Sequence, residues 1–285
     1  MNKKTFPIDT ITIIGPGLIG GSIAKAVKER GLCKKLAIAA REEELDIVKR
    51  SGLEADLYHQ LASSIAGADL VVICVPFDAL KTILLQIKDH IEPQTVITDV
   101  ISVKKEVMTL FSELLGEKVE WIGSHPMTGS ERSGFDAANS LLFEGSTTIL
   151  TPANHVSPLA IDCIKTFWEK LGSIPIELSA EEHDALVSEI SHLPHLLAAV
   201  LIESVSSQSL QLVGPGFKDT TRIAAGCPRL WKSILMANRH YVQKIGEKFI
   251  RQFQKALNIL QQGDEKALFE LLNKAQAIRK RLEKK

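Results

Sequence analysis

Apolar residues in the first half of the chain come in short runs rich in Ile and Val, and between the runs they recur at three- and four-residue intervals. The runs predict strands over residues 11–14, 36–39, 70–75, 95–99 and 120–123, with a weaker one over 55–58. The intervals predict helices over 18–30, 79–91 and 103–115, and Glu42 opens another. Leu70-Val71-Val72-Ile73-Cys74-Val75 is apolar throughout, as a strand covered on both faces requires. Strand alternates with helix, which predicts a doubly wound, parallel α/β sheet. Runs over 147–150 and 174–178, with a helix over 157–171 between them, continue the pattern.

Beyond residue 178 the strand signal stops. Ser179-Ala180-Glu181-Glu182 has the spacing of a capping box and predicts the start of a long helix, which Pro194 should kink. After a break at Gly214-Pro215-Gly216, helices are expected over 228–262 and 264–283. In the last, Leu268, Leu271, Leu272, Ala275, Ile278 and Leu282 share one face, Asp264 is the N-cap, and Arg279, Lys280 and Arg281 complement the dipole at its end. The expected division is a dinucleotide-binding domain over 1–178 and an all-helical substrate and dimerisation domain over 179–285. The helical half carries more apolar face than one small domain needs to cover, and a homodimer is the economical expectation.

Charge narrows the function. Lys and Arg number 34, as do Asp and Glu, so no basic surface calls for nucleic acid, and a small-molecule substrate held by local charges is expected. Cys33, Cys74, Cys163 and Cys227 are scattered without a Cys-x-x-Cys pair, which argues against a zinc knuckle or redox dithiol. Residues 1–7 lack the apolar core of a signal peptide, and the apolar stretch near 193–202 is short for a bilayer, so the expectation is a cytoplasmic protein with no membrane partner.

The most informative motif is Gly15-Pro16-Gly17-Leu18-Ile19-Gly20, between the first strand and the first helix. Gly15 permits the tight turn, Gly17 admits a pyrophosphate to the backbone, and Gly20 lets helix and strand pack. The helix start at Leu18 and Ile19 then turns its N–H groups and its dipole toward the phosphates. This is the Rossmann-type arrangement for a nicotinamide dinucleotide. The second strand ends in Ala40-Arg41 where an NAD site usually has an acid, so Arg41 is placed to pair with a 2′-phosphate. That leans the cofactor toward NADP, with NAD the alternative if Glu42 or Glu43 bonds the ribose.

Ligands of open α/β sheets sit beyond the carboxyl ends of the strands. Those ends carry Val75-Pro76 beside the cofactor, Asp99 with Ser102, and the loop Ser124-His125-Pro126-Met127-Thr128-Gly129-Ser130-Glu131. His125 stands where a nicotinamide would face its substrate, and an imidazole accepts a proton near neutral pH. The helical half adds His192 and His195 around Pro194, then Arg222, whose planar fork suits a carboxylate, and Trp231. Two histidines without further ligands do not make a zinc site.

Together these segments resemble the prephenate/arogenate dehydrogenase family of tyrosine biosynthesis. The resemblance runs from the glycine turn to about Trp231, and Gly123 to Glu131, Ser191-His192-Leu193-Pro194-His195 and Asp219-Thr220-Thr221-Arg222-Ile223-Ala224, in that order, carry it. It implies oxidative decarboxylation of prephenate or arogenate with hydride transfer to NAD or NADP. It implies that His125 takes the ring hydroxyl proton, that Ser102 supports both, and that Arg222 binds a substrate carboxylate. His192, with His195 as the alternative, Ser130, Glu131 and Trp231 line the rest of the pocket. The sequence departs from the family pattern at Ile101 and at Gly226-Cys227-Pro228. An appended regulatory domain is not expected. The rival functions are a β-hydroxyacid dehydrogenase, which needs a catalytic lysine such as Lys218, and a dinucleotide-sensing protein without catalysis.

Overall fold

A computed structural model describes residues 8–129 and 132–283. In the first half, strands β1 (Ile8–Ile14), β2 (Cys33–Ala39), β3 (Asp56–Tyr58), β4 (Leu70–Ile73), β5 (Val96–Asp99) and β6 (Glu120–Pro126) alternate with helices α1 (Leu18–Glu29), α2 (Glu42–Arg50), α3 (Leu61–Ile65), α4 (Phe77–Ile87) and α5 (Lys105–Leu115). Then come β7 (Thr147–Pro152), α6 (Pro158–Lys170) and β8 (Ile174–Glu177). The eight strands form one sheet in the order β3-β2-β1-β4-β5-β6-β7-β8.

Alternate residues of each strand feed opposite layers, which is why the strands are apolar on both faces. Ile11, Ile13, Leu70, Val72, Val96 and Ile122 pack with Ile23 and Val27 of α1 and Phe167 and Trp168 of α6. Ile14, Val71, Ile73, Ile97 and Trp121 pack on the other face with Leu80 and Leu84 of α4 and Val107 and Phe111 of α5. Each such side chain, fully buried, contributes about 1.5–3 kcal/mol of transfer free energy.

Two departures from the expected architecture matter. The sheet is parallel except that β7 runs antiparallel to β6. A parallel neighbour needs a crossover, usually a helix, whereas the connection over 127–146 carries only a 3-10 turn, Phe135–Ala137, among the described residues. The second departure is β6 itself, which extends through Pro126 rather than ending at residue 123. His125 is therefore a strand residue opposite Ile149, not part of a loop.

The helical region starts on the predicted cap, with Ser179 Oγ accepting from the Glu182 amide at 3.2 Å and the Glu182 carboxylate accepting from the Ser179 amide at 2.9 Å. Helix α7 (Ala180–Val187) passes through a π turn, Ser188–His192, into α8 (Leu193–Glu203). Pro194 has no N–H for the carbonyl four residues back, and the expected kink takes the form of this wider turn just ahead of it. The combined 24-residue helix is long and apolar enough to cross a membrane by length and composition, unlike the shorter stretch seen in the sequence. Its buried positions nevertheless include His183, Asp184, Ser188, His192 and His195. Helices α9 (Ser207–Leu210), α10 (Pro215–Thr221) and α11 (Pro228–Ala237) follow, and Ile234 of α11 joins the α4–α5 layer.

The first compact unit ends at Asn238 and the second begins at Arg239. The latter is a hairpin of α12 (Arg239–Gln262) and α13 (Glu265–Leu282); the stretch expected to be helical over 228–262 is divided at Asn238 into α11 and α12. Asp264 caps α13 through the Ala267 amide at 2.9 Å. Phe249, Ile250, Phe253, Leu257 and Leu260 of α12 and Phe269, Leu272, Ile278 and Leu282 of α13 are exposed.

Candidate active site

The glycine turn has the geometry its residues predict. Gly15 adopts φ +92, donates its N–H to Ala39 O at 3.0 Å, and has no room for a Cβ, which would lie 2.8 Å from Cys74 O. A Cβ on Gly20 would lie 2.2 Å from Gly15 O, so only glycine brings α1 this close to the turn. Gly17 is the N-cap of α1, faces open space, and supplies no side-chain cap. The first N–H groups of the helix, at Leu18 and Ile19, are thus left to an anion, and these residues fit a dinucleotide pyrophosphate. Val75 borders the turn, its Cγ1 lying 3.0 Å from where a Gly15 Cβ would be, and Pro76 is the N-cap of α4. Arg41 is exposed at the start of α2, where its guanidinium bonds both carboxylate oxygens of Glu44, at 2.9 and 3.2 Å.

At the end of β5, Asp99 accepts from the Ile101 amide at 2.8 Å and forms an ion pair with Lys104. Both side chains are fully buried. Gly123 makes room for this lysine, since a Cβ there would lie 2.9 Å from Lys104 Cδ. Ser102 is half-buried in the bend between Asp99 and Lys104.

In β6, Ser124 turns toward α6 and accepts from Trp168 Nε1 at 3.0 Å. His125, the next residue, therefore points to the opposite face, where its Nδ1 lies 2.8 Å from His183 Nε2. His183 Nδ1 lies 2.7 Å from Asp184 Oδ1. Asp184 in turn accepts from the Lys104 amide at 2.8 Å and the Lys105 amide at 3.0 Å, so its carboxylate caps the start of α5. The Asn238 amide donates to Asp184 O at 2.8 Å and lies 3.0 Å from His192 Nδ1. His195 stacks on Trp231 with ring centroids 3.5 Å apart. Gly226 fits beneath them, since a Cβ there would lie 2.6 Å from Trp231 Nε1 and 3.2 Å from His195 Cε1.

The structure thus joins His125, His192, His195 and Trp231 through residues that sequence reasoning missed: His183, Asp184, Lys104 and Asn238. Arg222 is exposed at the start of a 3-10 turn, Arg222–Ala225, that packs against α8. Ser130 and Glu131 lie outside the described residues. His192 Nε2 and His195 Nδ1 are buried with no hydrogen-bond partner among the described residues, as expected of groups that await a polar ligand.

Burial governs the protonation of this cluster. It pushes the His125 imidazole well below its ordinary value, and His183, Lys104 and His192 push the same way. Burial also lowers His183, against the opposing pull of Asp184, and takes His192 down to about 4. For Asp184, burial pushes upward, but the bonds from His183 and the two amides outweigh it and the carboxyl ends below its usual range. The folded chain therefore binds fewer protons at these imidazoles than the unfolded chain does. Their contribution to stability is complete above about pH 6.5 and is lost as the pH falls toward the folded values. For His192 alone the loss should reach about 2 kcal/mol by pH 5. Urea unfolding at pH 7, 6 and 5 checks this. The slope should flatten in His192→Asn, and a pH-independent wild-type midpoint would contradict it.

Comparison with known proteins identifies the family. Residues 23–176 match the family model for the prephenate dehydrogenase nucleotide-binding domain, and residues 179–274 match that for the prephenate dehydrogenase dimerization domain. The chain is 33% identical over 279 residues to a prephenate dehydrogenase of Bacillus subtilis, covering 95% of this chain and 75% of the relative. It is 31% identical over 279 residues to a cyclohexadienyl dehydrogenase of Zymomonas mobilis, covering 94% of each. Its fold superposes with a TM-score of 0.89 on the crystal structure of prephenate dehydrogenase from A. aeolicus in complex with hydroxyphenyl propionate and NAD+, at 27% identity, over 96% of this chain and 98% of that one. With both halves matched and relatives above 30% identity spanning nearly its whole length, the chain belongs to the prephenate dehydrogenase family.

Proposed function

We propose that His125 is the proton acceptor in the oxidative decarboxylation of prephenate or arogenate, with the dinucleotide on the Gly15–Gly20 turn. The observation that carries this is a buried imidazole, held neutral, at the carboxyl end of β6 on the same sheet edge as the glycine turn. The dinucleotide supplies the hydride acceptor. His125 takes the ring hydroxyl proton as hydride leaves the same carbon, and electrons from the departing carboxylate complete the aromatic ring. The product oxygen then recovers the proton from His125. Ser102, half-buried at the neighbouring strand end, supports the hydroxyl. His192 accepts from Asn238 at Nδ1, so its Nε2 carries the hydrogen and donates to a substrate oxygen. Trp231 and His195 wall the pocket, and Arg222, Ser130 and Glu131 complete our assignment of the substrate groups. Residues 1–178 form the dinucleotide-binding domain of this assignment, and the helical region over 179–285 brings His192, His195, Arg222 and Trp231 to the substrate and carries the dimerisation surface.

We assign NADP as the preferred cofactor, with Arg41 exchanging Glu44 for the 2′-phosphate. The exposed apolar faces of α12 and α13 fit a homodimer, in keeping with the dimerization domain matched there. A cytoplasmic site of action fits four free cysteines. The test is purified protein with prephenate or arogenate and NAD or NADP, followed by the absorbance of the reduced nicotinamide. Arg41→Glu should raise the KM for NADP at least about tenfold, the loss of one charged hydrogen bond, and leave that for NAD little changed. No turnover with any pair would overturn the function, and an unchanged KM for NADP would remove Arg41 from the cofactor site.

A further inference from the structure

A neutral imidazole has one nitrogen that donates and one that accepts, and only the accepting one takes a proton. The side chains behind His125 decide which is which. Asp184, ionised, accepts only. Three donors converge on it: His183 Nδ1 at 2.7 Å and the Lys104 and Lys105 amides at 2.8 and 3.0 Å. The hydrogen of His183 therefore sits on Nδ1, and its Nε2 carries a lone pair. That Nε2 lies 2.8 Å from His125 Nδ1, so His125 must donate there. Its own Nε2 is left as an acceptor.

We propose that His183 and Asp184 are positioning residues that fix the tautomer of His125, leaving Nε2 as the proton acceptor of the reaction. The proposal rests on the assignment of His125 as the base. Lys104 and Asp99 from the β5–α5 connection, His183 and Asp184 from α7, and His192 from the π turn are the charged and titratable groups around this chain. Lys104 is neutralised by Asp99, so the uncompensated charge behind the two imidazoles is that of Asp184. When the substrate O–H bond breaks, its proton joins His125 Nε2, while the hydrogen on Nδ1 stays in its bond to His183. The imidazolium then faces the Asp184 carboxylate through one neutral ring. Asp184, held by two amides at a helix start, remains ionised and acts as an electrostatic partner rather than a proton store.

The tautomer is read directly by NMR of protein carrying 15N-labelled histidine, above pH 6.5 where the ring is neutral. Wild-type His125 should carry its hydrogen on Nδ1. In Asp184→Asn the charge that holds the Nδ1–H tautomer of His183 is gone and one of the two accepting oxygens becomes a donor, so the share of His125 carrying Nε2–H should rise. Turnover should then fall at least about 100-fold, while the KM for the dinucleotide stays near the parent value. His183→Gln keeps an oxygen for His125 Nδ1–H and should hold turnover within about tenfold of wild type, whereas His183→Leu should lose at least about 100-fold. An Nε2–H tautomer in the wild type, or equal turnover in the Gln and Leu variants, would overturn the proposal. A fully active His125→Asn would instead remove the base assignment and leave the tautomer result standing. The wild-type spectrum and the His183 pair carry the test even if Asp184→Asn fails to fold.

Discussion

His125→Asn should lower kcat by about 100- to 10,000-fold, the usual span for general base catalysis, with NAD(P) affinity close to that of the parent. The expectation follows from position. His125 lies in β6 with its Nδ1 committed to His183, so its remaining nitrogen is the one presented to a ligand. Asparagine matches the size and polarity of the imidazole but offers no basic nitrogen. The pH profile supplies the second half of the prediction. Burial, with His183, Lys104 and His192 adding to it, holds the imidazole below its ordinary value. The active, unprotonated form therefore persists above about pH 6.5, and kcat/KM should be flat there and fall only on the acid side. A rise continuing through neutral pH, or wild-type turnover in the Asn variant, would remove His125 from this role.

The largest effect on stability should come from Lys104→Met. Lys104 and Asp99 are both fully buried, and burial pushes the lysine down and the aspartate up, so each carries its charge only by virtue of the other. Removing the ammonium leaves a carboxylate inside the sheet layer with only backbone support, from Ile101 and Ser124, among the described residues. The cost of breaking such a pair is about 3–5 kcal/mol. Removing both charges costs much less, because apolar residues of similar volume avoid the desolvation penalty. Lys104→Met with Asp99→Leu should therefore recover most of the lost stability. A double-mutant cycle by urea unfolding checks this, and additive single effects, or a cost below about 1 kcal/mol for Lys104→Met, would contradict it.

The sequence showed the sheet and the cofactor turn because both rest on local rules. Period-two burial made the strands apolar throughout, and Gly15, Gly17 and Gly20 mark positions where a Cβ has no room or where a ligand needs it. His125 stood out because strand ends collect ligands. The groups behind it did not, for physical reasons that can be named. Lys104 looks like an ordinary charge at a helix start, and only the gap left by Gly123, distant in sequence, makes it a buried one. His183 and Asp184 follow Glu181 and Glu182 on what reads as a solvated first turn. On a straight α-helix, nine steps of about 100° place His192 opposite His183, so nothing in the spacing suggested that they share a site. The reversed strand β7 was equally hidden, because its apolar run is the same in either direction.

The π turn over Ser188–His192 acts as a phase shifter. Its wider winding adds less rotation per residue, which brings His192 round toward the side that His183 occupies. The turn therefore holds one residue more than an α-helix of the same phase would need. Losing one residue there and returning to ordinary winding leaves eight steps of about 100°, or about 800°, between the positions of His183 and His192. The two would still share a side, so the stretch can shorten by one residue without losing phase, whereas the same loss from a regular α-helical stretch would swing everything beyond it by about 100°.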